Sequence, residues 1–163
     1  MMDLCDRREI QPLLERHGFH FSKAMGQNFL IESWVPRDIA DSCGADEGTG
    51  VLEIGPGIGP LTQQLARRAG KVVSVELDAR LYPVLRETMR GADNFTLIEG
   101  DAMKLDFAHV VQEHFSGLRP ILCANLPFGA DLHGAHVMPV ISPFAFHRNS
   151  SSHISITFLT FTP

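Results

Sequence analysis

Val51-Leu-Glu-Ile-Gly-Pro-Gly-Ile-Gly59 carries a short apolar strand straight into three glycines at alternate positions. Only glycine lets a main chain bend this tightly and approach a bound group with no Cβ in between. Pro60 follows, and its fixed φ suits the first turn of a helix. The segment therefore predicts a strand, a turn able to touch a small molecule, and a helix. Alone, such a turn does not distinguish a purely structural bend from a dinucleotide site or a more particular pocket.

Three further apolar runs of strand length end in polar residues: Val72-Val-Ser-Val-Glu76, Phe95-Thr-Leu-Ile-Glu-Gly-Asp101 and Ile121-Leu-Cys-Ala-Asn125-Leu-Pro-Phe128. Between them lie stretches with helical spacing, marked by Leu61, Leu65 and Ala69, by Leu81, Leu85 and Met89, and more weakly by Phe107, Val110, Val111 and Phe115. Alternation of strands and helices implies an α/β fold, a parallel sheet with helices on both faces. Nearer the N-terminus, residues 3–17 read as a helix stopped at Gly18. Ser33 to Asp41 reads as a second helix, with Trp34 either packed in the core or walling a pocket. No internal repeat is visible.

Parallel strands all end on one edge of their sheet, and ligands of open α/β sheets bind beyond that edge. Glu53, Gly55, Glu76, Asp101 and Asn125 are expected there. Glu76 closes the second strand about twenty residues after the glycine turn, where an acid can accept hydrogen bonds from both hydroxyls of a ribose. Asp101, closing the third, is suited to receive an adenine amino group. The plainer alternative for any one of these acids is a solvated turn residue or helix cap.

Asn125-Leu-Pro-Phe128 stands where the fourth strand leaves the sheet. An exocyclic amine on a nucleobase is a poor nucleophile because its lone pair is delocalised into the ring. The Asn125 side-chain oxygen and the Leu126 or Pro127 carbonyl are acceptors able to draw the amine hydrogens out of plane, and Pro127 stiffens the turn. Phe128 offers a face on which a base can stack. With a sulfonium methyl group as electrophile, already activated, position and electrostatics suffice and no strong base is needed.

Taken together, Gly26-Gln-Asn-Phe-Leu30, Glu53-Ile-Gly-Pro-Gly-Ile-Gly59, Val75-Glu-Leu-Asp78, Glu99-Gly-Asp101 and Asn125-Leu-Pro-Phe128 resemble the small-subunit rRNA adenine dimethyltransferases of the KsgA/RsmA type, in order and in spacing, over about residues 17–128. The resemblance implies a Rossmann-like core, S-adenosylmethionine as methyl donor, and two successive methylations of adenine amino groups in small-subunit rRNA. It carries over Gln27, Asn28, Leu30, Glu53, Gly55, Gly57, Glu76, Asp101 and Asn125 as donor-binding residues. Asn125, Leu126, Pro127 and Phe128 carry over as the catalytic segment that holds the target adenine. Phe128 stands where bacterial members usually have tyrosine, which keeps the aromatic face and loses a hydroxyl.

Beyond Phe128 the composition changes abruptly. Asp131 and Arg148 are the only charged residues of Gly129 to Pro163, whereas the preceding 128 residues carry the other 31 of the chain's 33. This segment also holds half of the eight histidines and the run Ser150 to Ser152. It reads as a divergent, irregular tail joined to a methyltransferase core that stops after its fourth strand, without the family's C-terminal helical RNA-binding domain. The expected result is an encoded donor pocket with poor or absent turnover, and a central strand left as an unpaired edge. His133 and His136 are three apart, but with His147 and His153 they lie in a proline-interrupted segment without cysteine, and no metal site is expected. Ile154-Ser-Ile-Thr-Phe-Leu-Thr-Phe161 is uncharged and rich in β-formers, so it is either an edge strand or an aggregation-prone end.

A net charge of −5 and few basic clusters argue against an independent nucleic-acid binder, and the doublets Arg7-Arg8 and Arg67-Arg68 read as solvated helix faces. Small-subunit rRNA or a pre-ribosomal particle is the partner that the resemblance implies. Cys5, Cys43 and Cys123 are odd in number and widely spaced, which suits a reducing compartment, with Cys123 packed in a strand. The N-terminus lacks a basic-then-apolar signal or an acid-poor transit pattern, so a cytoplasmic monomer away from membranes is expected. Two other readings remain open. A non-catalytic module related to mitochondrial transcription factors would retain nucleic acid without methyl transfer. A nicotinamide-dependent oxidoreductase would use Gly55, Gly57 and Glu76, but Pro60 takes the place of its last glycine and nothing then explains Asn125 to Phe128.

Overall fold

The computed structural model describes residues 2–19, 33–126 and 155–160. Helix α1, Arg7–Arg16, is capped by Asp6, whose carboxylate accepts the Arg8 N–H at 2.8 Å. The chain leaves it through Gly18 at φ 79°. Helix α2, Trp34–Ser42, leads into strand β1, Thr49–Ile54. Then follow α3 (Pro60–Ala66), β2 (Lys71–Glu76), α4 (Tyr82–Thr88), β3 (Phe95–Glu99), α5 (Phe107–His114), β4 (Arg119–Leu126) and β5 (Ser155–Thr160). Pro60 occupies the first turn of α3, where a missing N–H costs nothing.

The five strands form one sheet in the order β3-β2-β1-β4-β5. Pairing is parallel among β1 to β4, with Leu52 opposite both Val73 and Leu122. Alternate residues of each strand feed two separate cores, as period two demands. Leu52, Ile54, Val73, Val75 and Leu122 pack against Phe107, Val110 and Phe115 of the α5 region. Val51, Val72 and Cys123 face Ile39, Ala40, Leu61 and Leu65 of α2 and α3. Gly50 lacks a side chain for a packing reason: a Cβ there would run into the ring of Phe115. The third cluster docks α1 on the glycine turn and α4, with Ile10, Leu13 and Leu14 against Ile58, Leu81 and Val84. Arg16 and His17 add polar contacts to Glu87 at 2.6 and 2.7 Å.

Two expectations are corrected. Trp34 is not core packing: it stands 37% exposed at the start of α2. Strand β4 is not left as an edge, because β5 pairs antiparallel with it from Ile121–Thr160 to Leu126–Ser155. Of the two readings of Ile154 to Phe161, the edge strand is realised. The physical reason is direct, since an uncharged β-prone segment can satisfy the backbone N–H and C=O groups that β4 would otherwise expose. The histidines of the tail lie outside the described residues.

Candidate functional site

Strands β2 and β3 lie on one side of β1 and β4 on the other, so the chain reverses direction of growth at the β1/β4 boundary. That boundary opens a crevice beyond the carboxyl ends of the strands. The glycine turn fills its mouth. Gly55, Gly57 and Gly59 take φ of 71°, 61° and 95°, the left-handed region where side chains are strained. At Gly59 a Cβ would also meet Leu85 Cδ1 at 2.9 Å. Bonds from several elements hold the turn: Gly55 N–H donates to Val75 O (3.0 Å), Gly59 N–H to Pro56 O (3.0 Å), and the Thr88 hydroxyl to Ile58 O (2.9 Å).

Glu76 completes this frame. Only 6% exposed, it accepts the Gly57 N–H on Oε2 at 3.1 Å and the Asp78 N–H on Oε1 at 2.8 Å. One amide on each oxygen fixes the carboxylate's plane and leaves about two of its four lone-pair positions for a ligand. Asp78 is itself held below the usual carboxylate range by its bond to Arg80. On the neighbouring strand, Gly100 N–H bonds Glu76 O at 2.9 Å and brings the Asp101 segment alongside. Asp101 caps a short 3-10 turn, Ala102–Lys104, accepting Met103 N–H at 2.9 Å, with Lys104 Nζ 3.8 Å from its other oxygen. The cap role foreseen as the plainer alternative is therefore real, and one carboxylate oxygen remains beside it.

Glu53 departs from the expected edge. It precedes the last residue of β1 and its side chain enters the α2/α3 face, where it is 1% exposed. Its Oε2 accepts two hydroxyls, Thr62 Oγ1 at 2.7 Å and Ser74 Oγ at 2.6 Å. Burial pushes its pKa up to about 7, against the opposing pull of those two bonds and with a smaller push from the Glu76 charge. Glu53 thus ties β1 to α3 and β2 from within the core instead of lining the ligand edge.

The structure brings Gly57 and Glu76 into contact and sets Gly55 and Asp101 around them. Asn125 and Leu126 end β4, with Asn125 one residue beyond the Ile54–Ala124 pair that links β4 to β1. Gln27, Asn28, Leu30, Pro127 and Phe128 lie outside the described residues. Two residues at this edge were not foreseen. Leu77 and Met103, directly after Glu76 and close after Asp101, are 70% and 51% exposed, and with Trp34 they are the large apolar side chains exposed among the described residues. Exposed apolar groups beside hydrogen-bonding acids suit a ligand with a flat apolar face. A separate cavity of about 240 Å³ opens between the N-terminal segment, α2 and α3, lined by residues including Cys5, Arg37, Pro60 and Arg67 but by none of Gly55, Gly57, Glu76 or Asp101.

Comparison with known proteins adds to this geometry. The family model described as ribosomal RNA adenine dimethylase matches residues 18–133. The chain belongs to this family. Among curated relatives, ribosomal RNA small subunit methyltransferase A of Geobacillus sp. (strain WCH70) is 45% identical over 127 residues, covering 77% of the chain and 44% of the relative. The protein of the same name from Staphylococcus aureus (strain Newman) is 43% identical over 127 residues, with 77% and 43% covered. The chain thus spans less than half the length of the curated relatives it matches. A solved structure of the 23S rRNA methyltransferase ErmE superposes with a TM-score of 0.50 at 20% identity, covering 80% of this chain and 68% of that one, a likeness of fold.

Proposed function

We propose that this chain is the donor-binding core of an S-adenosylmethionine-dependent rRNA adenine N6-dimethyltransferase acting on small-subunit rRNA or a pre-ribosomal particle. The observation that carries the reading is Glu76, a carboxylate oriented by Gly57 and Asp78 amides with acceptor capacity to spare, inside a chain of the adenine dimethylase family. Two hydroxyls of a ribose are the ligand groups such a carboxylate fits. Asp101 receives the adenine amino group of the donor, and Leu77 and Met103 cover its faces. Gly55 and Gly57 give the donor backbone to lie on without a Cβ, while Gln27, Asn28 and Leu30 complete its pocket from the N-terminal side.

When bound, the donor supplies a methyl group already activated on a sulfonium. The chain's own part is to make the target amine nucleophilic. Asn125 and the carbonyls of Leu126 and Pro127 accept the amine hydrogens, which restores lone-pair density to the nitrogen, and Phe128 stacks on the base to hold it in line. The same reading has residues 1–128 as the catalytic core and 129–163 as a divergent tail, in a cytoplasmic monomer. Among the described residues no helix is long and apolar enough to cross a membrane.

The test is methyl transfer from labelled S-adenosylmethionine to small-subunit rRNA lacking the modification, read by mass spectrometry of adenosines. Dimethyladenosine that is lost in Asn125→Ala supports the proposal. Donor binding without any methylated adenosine, with relatives active on the same RNA, would remove the transferase assignment.

A further inference from the structure

We infer that the polar groove between α2 and α3 docks single-stranded RNA, with Arg37 and Arg67 holding a phosphodiester of the strand and Trp34 stacking on one of its bases. This rests on the rRNA reading above and names the surface that leads the strand to the glycine turn. Two packed helices meet along apolar stripes, and α2 and α3 do so through Ile39, Ala40, Leu61 and Leu65. Beside that seam the lining turns polar and encloses the cavity of about 240 Å³. Pro60, Gln63, Gln64 and Arg67 make one stripe along α3 and its cap, spaced i, i+3, i+4 and i+7, opposite Ser33 and Arg37 of the α2 start. The α3 wall is anchored, since Gln63 Nε2 donates to Thr88 O at 3.1 Å and Arg68 Nη1 to Gln64 Oε1 at 3.2 Å. The volume lies below the roughly 300 Å³ at which pockets for drug-sized ligands begin, so it suits one charged group of a longer molecule.

The lining selects an anion. Arg37 is exposed and forms no ion pair among the described residues, whereas Arg8, Arg16, Arg68, Arg80 and Arg86 each rest on a carboxylate. A guanidinium presents a planar fork of N–H donors that matches two phosphate oxygens. Arg67 reaches the same cavity from the other helix. Asp3 is the one acidic residue of the lining, and its Oδ1 is engaged by the Cys5 N–H at 2.9 Å, so the lining stays net positive in a chain whose net charge is −5. The place suits a substrate strand. α2 precedes β1 and packs back along it, which puts its first turn at the carboxyl edge of the sheet, and Pro60 both lines the groove and directly follows Gly59. Trp34 stands 37% exposed on that first turn, where an aromatic face can take a base while arginines track the backbone.

Trp34 is the chain's one tryptophan, so its fluorescence reports on this surface. The experiment titrates the whole chain with a single-stranded RNA of about ten nucleotides at several salt concentrations, following Trp34 emission and the polarisation of labelled RNA. Wild type should bind with quenching of Trp34. Arg37→Ala and Arg67→Ala should each weaken binding about five- to tenfold, whatever the RNA sequence, and lower the salt slope by about 0.7. Asp3→Asn, which keeps the acceptor for Cys5, should tighten binding. Arg90→Ala removes an equally exposed charge after α4, away from the groove, and should change little. A folded wild-type chain that binds no RNA, binding that leaves Trp34 emission unchanged, or equal losses in Arg37→Ala and Arg90→Ala overturns the inference. Inorganic phosphate binding as tightly as RNA and with the same dependence on Arg37 overturns it in favour of a free-anion site. Calorimetry of the same samples with S-adenosylmethionine keeps the two readings apart: Arg37→Ala should bind the donor as wild type does, and a chain that binds RNA through Arg37 but no donor loses the donor reading and keeps this groove.

Discussion

Replacing Glu53 by glutamine should change how stability depends on pH, with no ligand present. The ordinary value of a glutamate is 4.5 and burial raises Glu53 to about 7. Between those values the folded chain keeps a proton that the unfolded chain has released. The stability associated with this group is therefore fully present below about 4.5 and is lost as pH rises through about 7. At about 1.4 kcal/mol for each tenfold change in proton affinity, the whole effect is on the order of 3 kcal/mol, a large share of the 5–15 kcal/mol typical of a domain. Glutamine can still accept the Thr62 and Ser74 hydroxyls through its carbonyl oxygen but does not titrate. Urea unfolding of both proteins between about pH 5 and about pH 8 measures the difference, because contributions from the rest of the chain are common to both curves. Wild type should lose about 2–3 kcal/mol more than the variant over that interval. Two curves that run parallel would refute the claim that Glu53 is a buried, titrating carboxyl.

Gly59→Ala forces a side chain into φ 95° and against Leu85, and should cost about 1–3 kcal/mol in urea unfolding; an unchanged midpoint would show that the turn is not strained there. Leu77→Asp should leave stability within about 0.5 kcal/mol, because the side chain is exposed, yet weaken S-adenosylmethionine binding about tenfold by calorimetry; unaltered affinity would take Leu77 out of the pocket. Thiol titration should find Cys5 the one reactive cysteine in the native chain and all three reactive in denaturant, since Cys43 and Cys123 are buried and burial raises their thiols; rapid native labelling of Cys123 would contradict its place in the core.

Strands β1 to β4 were legible because each is an apolar run with its boundary marked, and Pro60 announced α3 as clearly as any residue can. Glu76 was legible from its distance to the glycine turn, but its two amide partners were not, since they depend on how the turn folds back over β2. Glu53 was misread by following the rule that polar strand-end residues face the ligand edge. Period two sends it inward with Val51, and Ser74 follows Val72 to the same face, so a polar residue in an inward position on each strand was the available signal. Leu77 and Met103 gave no periodic signal because Leu77 lies just past β2 and Met103 sits in the short 3-10 turn that follows β3. The partner of Ile154 to Phe161 was invisible because antiparallel pairing with β4 is a contact across some thirty intervening residues. Trp34 misled because its size suggests burial, whereas its place at the start of α2 leaves it partly open.

The central claim is that the glycine turn and Glu76 make a working donor site, and calorimetric titration of the chain with S-adenosylmethionine tests it most directly, with NAD as the competing ligand and Glu76→Ala as the control. The account predicts saturable binding of S-adenosylmethionine, no binding of NAD, and loss of the signal in a folded Glu76→Ala. A folded wild-type chain that binds no S-adenosylmethionine, or a Glu76→Ala variant that binds it as well as wild type, would contradict it.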